Sequence, residues 1–75
     1  MAKLCVLSGA DACRRLVGEG FEAVRRRGSH AIMQKKISGS TITVPVPMHG
    51  TLRRGTLMSI IRQSGLPRAK FETND

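Results

Sequence analysis

Residues 41–46 read TITVPV, a strict alternation of Ile42, Val44 and Val46 with Thr41, Thr43 and Pro45. A period of two puts the branched apolar side chains on one face of a strand and the remaining three on the other. A strand patterned this way buries one face, so it belongs to an antiparallel sheet covered on one side. Pro45 has no N–H to give to a ladder, which sets the strand at a sheet edge or near its own end.

Two further strand candidates lie upstream. Phe21 to Arg26 carries Phe21 and Ala23 on one face, with Val24 blurring the alternation. Gly28-Ser29 makes a turn, His30 to Lys36 forms the second strand, and Lys36 to Ser40, with Gly39, makes the next turn. The segment 41–46 is then the last strand of a three-stranded meander.

Helices flank the meander. Ser8-Gly9-Ala10-Asp11 has the capping-box pattern of a helix start. Ala10, Cys13, Leu16 and Val17 recur at helical spacing as its apolar face, Arg14 and Arg15 lie off that face, and Gly18 and Gly20 end it. Met48 to Arg54 reads as a loop that contains His49, Gly50 and two arginines. Thr56 is the expected N-cap of a second helix, with Leu57, Ile60 and Ile61 as its apolar face and Gly65 as its stop. Pro67 suits the first position of a short terminal helix through Phe71. The predicted order is α-β-β-β-α, an α+β fold with both helices packed on one face of a three-stranded antiparallel sheet. That is the layout of the double-stranded-RNA-binding domain, and residues 1–75 read as one domain without a linker or repeat.

The chain has 75 residues, near the lower end of what folds alone, and its 40% apolar content is enough for a compact core. Thirteen Lys and Arg against five Asp and Glu leave a net charge of +8, which points to a polyanionic partner, above all nucleic acid. No stretch approaches the roughly 20 apolar residues of a membrane span, and the run Leu4 to Leu7 is too short for a signal peptide, so a cytoplasmic location without membrane contact is expected. Cys5 and Cys13 form no CxxC pair, and with His30 and His49 they match no zinc-ligand spacing. Two reduced thiols and no metal or other cofactor are expected.

There is no Tyr or Trp, and both Phe fit the core, so the chain lacks the aromatic platform on which single-strand binders stack bases. Binding must run through phosphates, and the candidate contacts are Arg25, Arg26, Arg27, Lys35, Lys36, Arg53 and Arg54. Some of these are solvated strand and loop charges on the plainer reading.

His30 follows this basic run directly, at the start of a strand after a tight turn. A lone strand histidine is most often a half-exposed surface residue. An imidazole also titrates at about pH 6.5 when free, so a neutral one held beside phosphate-binding arginines can take the proton of a ribose 2′-hydroxyl. The oxygen would then attack the adjacent phosphate, with Arg or Lys stabilising the developing charge and no metal required. Ser29 orients the histidine, binds phosphate, or is simply a turn residue.

Three stretches, LSGADACRRLVGEGFEAVRRRGSH, TITVPVPMHG and GTLMSIIRQSGL, carry a resemblance to a known family. In this order and spacing the chain resembles the HicA (YcfA-like) toxins of HicAB toxin–antitoxin systems, over roughly residues 3 to 72. The resemblance implies a double-stranded-RNA-binding-domain-like fold and a ribosome-independent mRNA interferase activity. The family's catalytic histidine, in its glycine–serine–histidine motif, falls on His30. A second family histidine falls on His49, with an implied support role in phosphate contact or as general acid; an ordinary loop residue is the alternative. The partners implied are mRNA and a HicB-like antitoxin that covers the toxin's active surface. The turn KKISGS lacks the His-Pro-Asp-Gly character common in the family, a difference that bears on which RNA fits.

A non-catalytic RNA-binding module explains the charge and the fold equally well and makes His30 incidental. A DNA-binding domain that reads with Leu57 to Gly65 is weaker, since Arg62 and Gln63 are its only base-reading groups of note.

Overall fold

The computed structural model describes residues 3–73. In chain order the elements are β1 (Lys3–Leu4), α1 (Gly9–Gly18), β2 (Glu22–Arg27), β3 (His30–Ile37), β4 (Ser40–Pro47), α2 (Arg54–Ser64), a 3₁₀ turn (Arg68–Phe71) and β5 (Glu72–Thr73). β2, β3 and β4 form an antiparallel meander with β3 in the centre. The expected α+β, α-β-β-β-α architecture holds. β1 and β5 add a small antiparallel pair that joins the two ends of the described chain and that the alternation did not reveal.

The alternation of β4 works as its sequence dictates. Val44 and Val46 are fully buried, facing Met33 and Ala31 of β3 across the ladder. Over this face α1 contributes Ala12 and Leu16, and α2 contributes Leu57, Ile60 and Ile61. Phe21 and Phe71 complete the core. Among the described residues the opposite sheet face carries no helix.

β4 is an edge strand, as Pro45 requires. The Met48 N–H donates to the Ser29 carbonyl at 2.7 Å. Antiparallel hydrogen bonding alternates along a strand, so Val44 and Val46 also turn their N–H groups toward β3. Pro45 and Pro47 therefore fall where an N–H would point off the free edge, and no ladder bond is lost there. The blurred alternation at Val24 is a β-bulge: the β2–β3 register shifts between Ala23 and Arg25, and Val24 is the extra residue.

Several boundaries move. Ser8 and Asp11 form the reciprocal capping box, but α1 buries Gly9, Ala12 and Leu16 rather than the predicted Ala10, Cys13, Leu16 and Val17. Ala10 is exposed, Val17 is 55% exposed and Cys13 is half-buried. Backbone contact sets this rotation. A Cβ on Gly9 would collide with the Pro47 carbonyl oxygen and lie 2.8 Å from Met48 Cα. Turning Gly9 inward carries Ala12 and Leu16 with it and takes Ala10 and Val17 out.

The N-cap of α2 is Arg53, not Thr56. Leu52 is buried, and its N–H donates to Leu7 at 2.7 Å. The chain is pinned there and turns helical at once, with Leu57 N–H bonding Arg53 C=O at 2.9 Å. Gly65 ends α2 in the left-handed region, as expected, at φ 72°. The terminal helix is a single 3₁₀ turn in which Pro67 is the residue before the first, because its ψ of 146° is extended.

Gly9→Ala should lower stability by about 2 kcal/mol or more, since backbone, not a flexible side chain, blocks the added methyl. Gly18→Ala, with open space around it, should raise stability by about 0.5–1 kcal/mol. Urea unfolding of the two variants checks both. The capping-box hydrogen bonds from Ser8 hold the Asp11 carboxyl below its usual range. A depressed folded-state value stabilises at pH above the unfolded value and is lost as pH falls through the folded one. Unfolding midpoints should therefore decline below about pH 4, with a shallower decline in Asp11→Ala.

Candidate nucleic-acid interface

The two-residue turn at Gly28-Ser29 begins with a left-handed residue, Gly28 at φ 61°, while Ser29 keeps a negative φ. A Gly-first turn of this kind matches the twist of the flanking strands and joins Arg27 directly to His30 as cross-strand partners. Ser29 acts through its backbone, which accepts the bond from Met48 and ties the turn to the end of β4.

This register sorts the candidate residues by face. Ala31 and Met33 point into the core, so His30 and Ile32 point to the open face. His30 is exposed and lies between Arg27 on β2 and Pro47 on β4. Ile32 lies between Arg25 and Pro45. Gln34 lies between Glu22 and Thr43, and donates to Thr43 Oγ1 at 3.2 Å. Lys36 shares the face opposite Thr41, about 20 Å along the strand from His30.

Arg26 and Lys35 lie on the other, helix-bearing side. Arg26 pairs with Ala31 and lies near enough to Cys13 to favour its thiolate, against the stronger effect of burial, which pushes that thiol up. The Lys35 ammonium sits 5.9 Å from the centre of the Phe21 ring. The arginine run is thus divided: Arg25 and Arg27 join His30, and Arg26 does not.

His49, Arg53 and Arg54 belong to the segment after β4. His49 is exposed, and its carbonyl accepts the Gly9 N–H at 2.9 Å, which fixes the loop against the start of α1. His49 and Arg53 line a cleft of about 280 Å³ with Pro47, Thr51, Leu52 and Thr56. Pro47 is common to this cleft and to the row of His30, so the two histidines occupy adjoining regions. Arg54 lines a separate hollow with Leu4, Val6 and Leu57.

Charge is distributed unevenly. Asp11 pairs with Arg14, Glu72 with Arg68 at 2.9 Å, and Glu19 with Lys70 at 3.4 Å. All three pairs lie on α1 and the C-terminal segment. Among the described residues no ion pair involves Arg25, Arg26, Arg27, Lys35, Lys36, Arg53 or Arg54. The cations of the sheet and of the α2 start, with Glu22 as the one carboxylate on the three-stranded sheet, are therefore unpaired and available to a polyanion. Cys5 and Cys13 are free thiols, and no group of three metal-ligating side chains occurs among the described residues. Among the described residues no helix is long and apolar enough to cross a membrane.

The family model described as HicA toxin of bacterial toxin-antitoxin matches residues 9–66. The chain belongs to the HicA toxin family. It is thus the toxin component of a toxin–antitoxin system, with a cognate antitoxin as its partner. The match runs from α1 to the end of α2 and takes in His30, His49 and every basic candidate. No curated protein matches the chain.

Sequence reasoning put Thr43 and Pro45 on the face opposite the valines of the HicA-family chain, but it did not name Gln34, Thr43, Pro45 or Pro47 as neighbours of His30 and Ile32. The signal was there: with the second turn centred on Ser38-Gly39, counting outward pairs His30 with Pro47 and Ile32 with Pro45.

Arg26→Ala should slow alkylation of Cys13 in the folded chain, and by a smaller factor than unfolding speeds it, because burial outweighs the charge at that thiol. Iodoacetamide labelling followed by mass spectrometry, with and without urea, reads the difference.

Proposed function

We propose that this toxin is a ribosome-independent mRNA endoribonuclease of a type II system, with His30 as its general base and a HicB-like protein as its antitoxin. The observation that carries the reading is the row Arg27–His30–Pro47 on a face without helices, with Arg25 in the next row. An exposed imidazole beside unpaired guanidiniums is what base-promoted attack on a phosphodiester needs.

In the proposed reaction the neutral His30 imidazole removes the 2′-hydroxyl proton. The 2′-oxygen forms a bond to the adjacent phosphorus, and the bond from phosphorus to the 5′-oxygen breaks. The products are a 2′,3′-cyclic phosphate and a 5′-hydroxyl, which takes up one proton. Arg27 and Arg25 stabilise the charge that builds on the phosphate oxygens. His49, in the adjoining cleft with Arg53, supports the reaction through a flanking phosphate. No metal ion enters this scheme.

His30→Ala should abolish cleavage of a long RNA while changing stability by no more than about 0.5 kcal/mol, because the side chain is exposed. Wild-type cleavage should persist in EDTA. RNA left intact by the wild type but still shifted on a native gel would replace the nuclease with a binding module. Arg25→Ala and Arg27→Ala should each weaken RNA binding and reduce the salt slope by about one. Arg26→Ala, on the opposite face, should leave that slope unchanged.

A further inference from the structure

The open face has an internal order that net charge does not capture. Its two rows nearest the Gly28-Ser29 turn run Arg27–His30–Pro47 and Arg25–Ile32–Pro45. Each goes from a guanidinium on β2, through the central strand, to a proline ring on β4. Successive rows are about 7 Å apart, and the outer columns about 10 Å apart. The face therefore has a cationic side, a middle with His30 at its end, and a rigid apolar side. Pro45 is exposed and Pro47 half-buried. Glu22 is the only carboxylate in the rows of this face among the described residues, two rows away from His30.

A nucleotide has the same order: phosphate, ribose, base. We propose that the open sheet face is a platform for unpaired RNA, laid with its phosphates along Arg25 and Arg27, its riboses over the central strand and its bases against Pro45 and Pro47. The inference rests on the nuclease reading above and names its substrate class, single-stranded RNA. In that orientation the 2′-hydroxyl falls over His30. The proline rings stand in for the aromatic side chains that the chain lacks, offering fixed apolar surface to a base face. A duplex hides its base faces and presents only phosphates and groove edges, so the proline column gains nothing from one. The Gln34–Thr43 pair in the next row lies where the edge of a neighbouring base would fall, and its amide and hydroxyl make it the position that discriminates among bases.

The test uses the wild-type chain and a 2′-O-methyl oligoribonucleotide, which lacks the attacking hydroxyl, offered single-stranded and annealed to its complement. Amide chemical shifts should move at His30, Ile32, Gln34 and Thr43, and the single strand should bind about tenfold more tightly than the duplex. The double variant Pro45→Ser, Pro47→Ser breaks no ladder bond, and should lose about tenfold for the single strand and little for the duplex. Equal or tighter duplex binding, shifts gathered on α1, Arg26 and Lys35, or an unchanged double variant would overturn the platform. So would shifts on this face induced by an acidic antitoxin fragment but by neither RNA. If unmodified RNA stays uncut while the single strand still moves this face, the nuclease reading fails and the platform stands.

Discussion

Sheet register is the constraint on which the rest of this molecule depends. Two two-residue turns, at Gly28-Ser29 and Ser38-Gly39, join β2 to β3 and β3 to β4. Gly28 and Gly39 both take positive φ, which frees the turns to close so tightly. Side chains alternate with a period of two, so a slip of one residue would carry Val44, Val46 and Met33 into solvent and bring His30 inward. The burial of those three side chains under α1 and α2 forbids the slip. The hydrophobic effect that holds the core thereby also fixes which polar residues meet on the far side.

The helices place the site from behind. Gly9 lets the first turn of α1 rest on the backbone of Pro47 and Met48, and its N–H bonds the His49 carbonyl. The same strand end is held from the front by the bond from Met48 to Ser29. His30 and the His49 loop are thus tied to one rigid end of the sheet, although neither side chain is buried. Exposed groups that act on a ligand need this kind of support, since loose side chains lose entropy when they bind. The carboxylates of α1 and the C-terminal segment neutralise their own neighbours and leave the cations of the sheet free for a ligand.

Much of this is legible in the sequence. Alternation in residues 41–46, the capping box at Ser8 and the stop at Gly65 follow from local rules that the tertiary structure does not override. The misreadings have one cause. The face of α1 and the start of α2 are set by distant backbone, Pro47–Met48 in one case and Leu7 in the other. Helical spacing fits the row Ala10, Cys13 and Val17 as well as the row Gly9, Ala12 and Leu16. The observed rotation is decided by where a residue without a Cβ is required.

The sequence by itself determined that there is a one-sided sheet, two covering helices, a large excess of positive charge and a histidine at a tight turn. These depend on residue type and spacing along the chain. Only the tertiary structure decided that Arg25 and Arg27 share the face of His30 while Arg26 does not. A bulge at Val24 adds one residue to β2, so counting forward from Ala23 by twos puts Arg25 and Arg27 on the wrong face. That extra residue is stable only because β3 is paired beside it and the core fixes both, which no local pattern records.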